Sequence, residues 1–279
     1  MSVTRLVDTN TLQLVTVGHN CPPYAILSHT WAARKDEVTL RDMTATQSYH
    51  LKPGWAKITN AACLARADGW NYIWIDTCCI DRRNHTERAL AITSMYNWYR
   101  DAQICYVHLA DVAYSSWSTT RRSFRASRWF TRGWTLQELL APTFLYFVDY
   151  AWNKFGTRQG MAAEICDATG ILPGQLNTFA ACSVATKLSW AAHRETRRLE
   201  DRAYSLLGLL GLTMTVKYGE GHQALVRLQA AIMSQGDDDT FMAWGTARKC
   251  GPHHVFLPLS GDNCQCGPLT TYRLQKIRS

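Results

Sequence analysis

Four short apolar runs, separated by stretches of helical period, constrain the fold of this chain more than any other feature. They are Tyr24-Ala25-Ile26-Leu27-Ser28, Tyr72-Ile73-Trp74-Ile75-Asp76, Ile104-Cys105-Tyr106-Val107-His108-Leu109 and Phe144-Leu145-Tyr146-Phe147-Val148. Runs this short and this apolar read as strands buried on both faces. Between the first two, Ile58, Ala61, Ala62, Leu64 and Ala65 recur at helical spacing from Trp55 to Ala67, and Asp68-Gly69 closes that helix. Thr86 to Tyr99 offers Leu90, Ile92, Met95, Trp98 and Tyr99 to a core, and a third helix is expected between Thr135 and Pro142. Strand alternating with helix at this spacing predicts a parallel sheet flanked by helices.

The rest of the chain is arranged around that core. Residues Met1 to Pro23 form a lead with one strand candidate, Leu12 to Val17. Asp36 to Met43 reads as irregular, and Ala113 to Ser127, rich in serine, threonine and arginine, reads as an exposed loop. After Asp149 the pattern turns mostly helical: Met161 to Ala168, Val184 to His193, Arg202 to Leu210 ended by Gly211, and a last helix with Leu225, Leu228 and Ile232 on one face. Phe241 to Trp244 is a final strand candidate. The expected organisation is a domain over 1–245, with an α/β core at about 20–150 and a helical extension at about 151–245. A loosely packed tail is expected over 246–279.

Composition narrows the class of function. At 279 residues, 47% hydrophobic and 19% charged, the chain has material for a substantial core. It has no run of about 18 apolar residues, so no membrane span is expected. Met1 to Asn20 lacks the apolar centre of a signal peptide, and the ten cysteines are scattered, which reads as reduced thiols in the cytoplasm. Cys264-x-Cys266 has no second pair at zinc spacing, and no metal site is expected. There is no G-x-G-x-x-G and no P-loop. The net charge of +8 gathers in Arg121, Arg122, Arg125, Arg128 and Arg132, and again in Arg194, Arg197, Arg198 and Arg202. The second group is interleaved with Glu195, Glu200 and Asp201, the pattern of a solvated, salt-bridged helix face. No nucleic-acid-binding motif accompanies the charge, so nucleic acid is not expected as a partner.

One stretch concentrates chemistry: Ser127 to Pro142, with Trp129, Phe130, Trp134, the two arginines Arg128 and Arg132 and the carboxylate of Glu138. It admits two readings. Thr135-x-x-Glu138 fits a capping box, in which Leu136, Leu139 and Leu140 are simply the buried face. Alternatively, Glu138 near a helix N-terminus and beside tryptophan and arginine is placed to act on a cationic sugar ring. Ligands of open α/β sheets bind at the carboxyl ends of strands. That makes Ser28, His29 and Trp31 after the first run, and Asp76 after the second, candidates for a pocket, each with a structural role open beside it. Cys78 and Cys79 suggest a nucleophile, but the sequence places no histidine to activate either.

Several of these stretches together resemble the fungal HET (heterokaryon incompatibility) domain. They are Tyr24 to Trp31, Tyr72 to Asp81, Ser94 to Tyr99, Arg132 to Leu139 and Tyr218-Gly-Glu-Gly221, in the family's order. Ala32 and Ala33 stand where the family usually has glycine, and Leu90 where a glutamate is common. The resemblance implies a role in self/non-self recognition and programmed cell death, with a homo-oligomer or an upstream recognition protein as partner. The strand order, Ser127-Arg-Trp129 and Trp134-Thr-Leu-Gln-Glu-Leu139 are also similar to TIR domains. That likeness implies a TIR-like (flavodoxin-like) fold and places Glu138 where enzymatic TIR domains carry the glutamate needed to cleave NAD. It further implies NAD as substrate with no retained cofactor, Ser28, His29 and Asp76 lining the pocket, Trp31 or Trp134 stacking on a ring of the ligand, and Arg132 holding the pyrophosphate. A non-enzymatic adaptor acting through homotypic assembly is the other function such folds carry.

Overall fold

A computed structural model of the chain describes residues 5–18, 20–45 and 49–235. Seven strands, β1 (Arg5–Asp8), β2 (Leu14–Thr16), β3 (Ala25–His29), β4 (Tyr72–Trp74), β5 (Ile104–His108), β6 (Leu145–Val148) and β7 (Lys154–Thr157), form one sheet in the order β2-β1-β4-β3-β5-β6-β7. The four apolar runs make its centre, where β4, β3, β5 and β6 lie side by side and parallel. Every residue of β3 and β5 is buried, as strands covered on both faces are. In chain order the parallel strands run 2-1-3-4, as in flavodoxin-like sheets, whose topological switch point lies between the first and third strands. Here that boundary joins β3 to β5, with Ser28 opposite Val107 and His29 opposite His108.

The expectation of a parallel sheet holds for the centre and fails at both edges. β1 runs antiparallel to β2 and β4, and β7 antiparallel to β6. β2 falls on the strand candidate Leu12 to Val17, whereas β1 lies in a part of the lead where no strand is expected, and β7 in a region that reads as helical. Strands of four residues show little periodicity, and partners far along the chain decide them. Arg5 of β1, for example, is tied to Glu87 at 2.5 Å.

Helices α1 (Leu40–Thr44), α2 (Pro53–Ala67), α3 (Asp76–Cys79), α4 (His85–Asp101), α5 (Trp117–Arg125) and α6 (Thr135–Leu140) accompany the strands. They are followed by α7 (Ala162–Thr169), α8 (Gln175–Thr178), α9 (Val184–Ala191), α10 (Asp201–Tyr204), α11 (Leu207–Leu210) and α12 (Gln223–Gln235). α2 opens on proline, where a missing N–H costs nothing, and is followed by Gly69 at φ +87°. The Asn84 side chain accepts from Glu87 N and caps α4.

Three local readings are corrected. α1 forms inside the segment expected to be irregular, started by a capping box between Thr39 and Asp42. α5 forms where an exposed loop is expected. It buries Thr120 and Phe124, and its Arg121 and Arg125 pair with Glu164 and Asp167 of α7. The helix read over Arg202 to Leu210 is two helices, α10 and α11, stopped by Gly211 at φ +67°. In α12 the apolar stripe buries Ala224, Leu225, Leu228 and Ile232, as its spacing predicts. Phe241 to Trp244, Cys264, Cys266 and the tail over 246–279 lie outside the described residues. Among the described residues no helix is long and apolar enough to cross a membrane, and no cluster of histidine, cysteine and carboxylates fits a metal ion.

Candidate functional site

Glu138 sits on α6, a helix buried at all six positions. Its carboxyl group is received at the carboxyl end of β3, where Ser28 Oγ donates to Glu138 Oε2. Trp129 Nε1 in turn donates to Ser28 Oγ at 2.7 Å. Tyr99, from α4, brings its hydroxyl to the same carboxyl group and to Leu27 O at 3.1 Å. Sheet, helix and the short turn Arg128–Thr131 therefore converge on one side chain.

The capping-box reading is overturned by this geometry. Trp134, in helical conformation, stands at the N-cap, and no side chain caps α6. Thr135 Oγ1 donates to Trp129 O at 2.6 Å and to Arg132 O at 2.8 Å instead. The other half of that reading holds: Leu136, Leu139 and Leu140 are buried.

Burial pushes the Glu138 pKa up to about 8; Asp76 adds to the rise, while hydrogen bonds from Ser28 and Tyr99 and the charge of Arg194 oppose it. At neutral pH the resting group is thus largely the protonated acid. Tyr99 has one proton, which it gives to Leu27 O while accepting from a protonated Glu138, or turns to Glu138 when that group is ionised.

A second cluster lies beside the first. His29 Nε2 faces Asp76 Oδ1 at 3.7 Å. Burial holds His29 well below its usual pKa, so this is not an ion pair. Burial raises the Asp76 pKa as well, against the opposing charges of Arg82 and Lys57. Trp31 Nε1 donates to Asp76 Oδ2 at 2.8 Å, and Arg82 Nη2 to the same oxygen at 3.2 Å. The Arg82 guanidinium lies 3.5 Å from the Trp31 ring centroid, so a ligand ring stacking there meets a competitor. His108, the register partner of His29, stacks on Trp152 at 4.0 Å and is pushed down to about 4 by burial. Four buried polar atoms at these strand ends have no hydrogen-bond partner among the described residues: His29 Nε2, Asp76 Oδ1, Thr77 Oγ1 and His108 Nε2.

Five of the seven site residues expected from sequence therefore come together: Ser28 with Glu138, and His29 and Trp31 with Asp76. Arg132 and Trp134 are placed differently. The Arg132 carbonyl accepts from Thr135 and Arg194, and its half-buried guanidinium has Arg128 and Arg197 as charged neighbours. Trp134 bonds Asp201 of the helical extension. Cys78 and Cys79 are buried; the bond to Cys79 and burial push the Cys78 thiol well up, the opposite of an activated nucleophile.

Tyr99, Arg82, His108 and Arg194 were not expected at the site: Tyr99 and Arg194 reach it from distant elements, while His108 ends β5 and Arg82 lies six residues after Asp76, so strand-end position was the signal that could have found His108. Arg194 corrects the reading of its arginine group as a solvated face. It is 6% exposed and donates to Trp190 O, Arg132 O and Thr135 Oγ1. Its pKa is lowered by burial to about 9, with Glu138 opposing. Surface depressions of about 420 Å³ beside Arg121, Arg122 and Arg125, and of about 370 Å³ beside Pro142 and Phe144, are not lined by Glu138.

Residues 24–124 match the family described as heterokaryon incompatibility protein (HET). The chain is 42% identical over 249 residues to the vegetative incompatibility protein HET-E-1 of Podospora anserina. That similarity covers 84% of this chain and 17% of the relative, so the chain spans less than a fifth of that protein's length. No solved structure matches.

Proposed function

The chain belongs to the heterokaryon incompatibility family, and from that premise we propose that it is an effector of self/non-self recognition and cell death that cleaves the nicotinamide–ribose bond of NAD. The observation that carries the proposal is Glu138, a carboxyl group buried at the carboxyl end of the sheet, beside its switch point, and held by Ser28 and Tyr99. The sequence resemblance of Ser127 to Trp129 and Trp134 to Leu139 to TIR domains supports the same reading.

In the proposed reaction nicotinamide leaves as a neutral ring, so no strong general acid is required. The ribose carbon gains oxocarbenium character, which an ionised Glu138 stabilises, and water adds at that carbon. The products are nicotinamide, ADP-ribose and a proton. A cationic nicotinamide ring arriving beside Glu138 favours its charged form, drawing down a pKa that burial has raised. Ser28 and Tyr99 orient the carboxylate, and His29 and Asp76 line the sugar pocket. Trp134 or Trp31 offers a stacking surface, and Arg132 lies in the basic region that receives the phosphates.

A second reading, an adaptor that works by homotypic assembly, is favoured by the closure of the site. Glu138 is 7% exposed, Ser28 and Trp129 are fully buried, and a sealed acid can serve the fold alone. Nicotinamide release from NAD by purified protein separates the two readings. Release by the wild type at low or high protein concentration is expected, with none from a Glu138→Gln protein of unchanged circular dichroism. No release at any concentration, including from cross-linked oligomers, would leave the adaptor reading.

A further inference from the structure

Three guanidinium groups from distant parts of the chain meet at the exposed loop after β3. Arg82 follows α3, Arg128 opens the turn before α6, and Arg197 follows α9. The Arg82 and Arg197 groups lie 3.5 Å and 5.4 Å from the Trp31 ring centroid. Arg128 Nη2 donates to Trp31 O at 3.3 Å, and Arg197 Nη2 to Ala32 O at 3.1 Å. Arg82 spends its contacts on Asp76, at the carbonyl (3.3 Å) and at Oδ2 (3.2 Å). Arg132 stands next to them, its pKa lowered by burial and by Arg197 and Arg128. Ala32 and Ala33, beside these groups, are exposed and small.

Like charges packed this closely repel; among the described residues Asp76 is the carboxylate hydrogen-bonded to the group, and Glu37 adds its charge near Arg82. Each guanidinium carries five N–H donors in a planar fork, of which these bonds use one or two. Such forks match the oxygens of a phosphate. A second observation points the same way. On the inner side of Trp31 and Arg82, Asp76 Oδ1 and His29 Nε2 are buried 3.7 Å apart without hydrogen-bond partners among the described residues. A ligand hydroxyl there can donate to the first and bond the second.

We propose that Arg82, Arg128 and Arg197, gathered on Trp31, form a diphosphate-binding subsite, and that Asp76 and His29 take a hydroxyl of the sugar attached to that diphosphate. The ligand class is a nucleoside diphosphate or dinucleotide. Its identity as NAD rests on the function proposed above, whereas the capacity to hold a diphosphate does not.

The test is calorimetric titration of the full chain with inorganic pyrophosphate and with ADP-ribose, at low and at physiological salt. Wild type is expected to bind both, more weakly as salt rises. Arg128→Ala/Arg197→Ala, which changes two exposed side chains, is expected to lose about tenfold or more with either ligand, given the strength of hydrogen bonds to charged groups. Arg197→Lys keeps the charge and loses the fork, and severalfold weaker binding is expected; it decides the matter if the double variant does not fold. Equal affinity in wild type and the folded variants, or no binding of pyrophosphate by wild type, overturns the subsite. A single-stranded oligonucleotide that binds more tightly than ADP-ribose through the same arginines overturns the small-molecule assignment. Pyrophosphate binding that depends on the arginines, without nicotinamide release, removes the chemistry and leaves the subsite. Nicotinamide release untouched by the double variant does the reverse.

Discussion

Between about pH 4.5 and 8, Glu138 holds more proton in the folded protein than in the unfolded chain. Stability from this group is therefore complete at the acid end of that window and falls as pH rises through it. His108 acts in the opposite sense: between about pH 4 and 6.5 the folded form binds fewer protons, so its contribution falls as pH drops. The two slopes oppose each other. Urea unfolding of wild type and Glu138→Gln at several pH values checks the first. The variant is expected to gain on wild type from pH 5 to pH 8.5 by a few kcal/mol, since each pH unit of displacement is about 1.4 kcal/mol. A constant difference across that range would mean that Glu138 titrates as an exposed acid does. At this scale the sequence singled out Glu138, Ser28 and Asp76 through their positions at strand ends and in the Ser127 to Pro142 stretch. It did not mark Tyr99 as a partner of Glu138, because that role exists only after α4 has packed against β3, and no local pattern aims Arg82 back at Asp76, six residues earlier.

The start of α2 controls the position of an element that sequence periodicity leaves undefined. A Cβ on Gly54 would stand 2.5 Å from Asp36 O, 2.9 Å from Val38 N and 3.0 Å from Glu37 Cα, all backbone atoms that cannot swing away. Gly54 N also bonds Asp36 O at 2.8 Å. Glu37, held between, accepts from Ala32 N at 2.8 Å and pairs with Lys57 at 2.5 Å, which ties the Trp31 loop to α2. Gly54→Ala is expected to cost about 1–3 kcal/mol, the usual penalty of overpacking, read as a lower urea midpoint. An unchanged midpoint would show that the loop yields. Long elements such as α2 and α4 were legible from apolar spacing and end signals. α1 and α5 were not: their sequences are polar, and capping or pairing with α7 decides them.

Across the whole molecule, the helical extension completes the α/β core. Glu195 N bonds Thr131 O at 2.6 Å and Gly133 N bonds Glu195 O at 2.8 Å, pairing the segment after α9 with the turn that carries α6. Arg194 adds three side-chain hydrogen bonds at the same place. Arg194→Gln is expected to lose about 2–4 kcal/mol of stability through these charge-assisted bonds, and to raise the Glu138 titration further by removing a favourable charge. Chemical unfolding measures the first effect, and the carboxyl resonance of labelled Glu138 against pH the second. A destabilised variant with an unmoved Glu138 titration would confine Arg194 to a structural clamp.

Four apolar runs and the helices between them were enough to determine a sheet with a parallel centre, because burial on both faces demands an apolar strand and parallel pairing demands a crossover. The amino-acid sequence also determined which carboxylate would lie near the strand ends. Tertiary structure alone decided whether that carboxylate caps its helix or turns inward. Thr135 gives its hydroxyl proton to Trp129 and Arg132 carbonyls, and Ser28 and Tyr99, 110 and 39 residues away in the chain, supply Glu138 with partners. Tertiary structure also decided the antiparallel edges and the gathering of arginines on Trp31. Pairings between residues so far apart leave no local pattern, since they depend on the fold that brings them together.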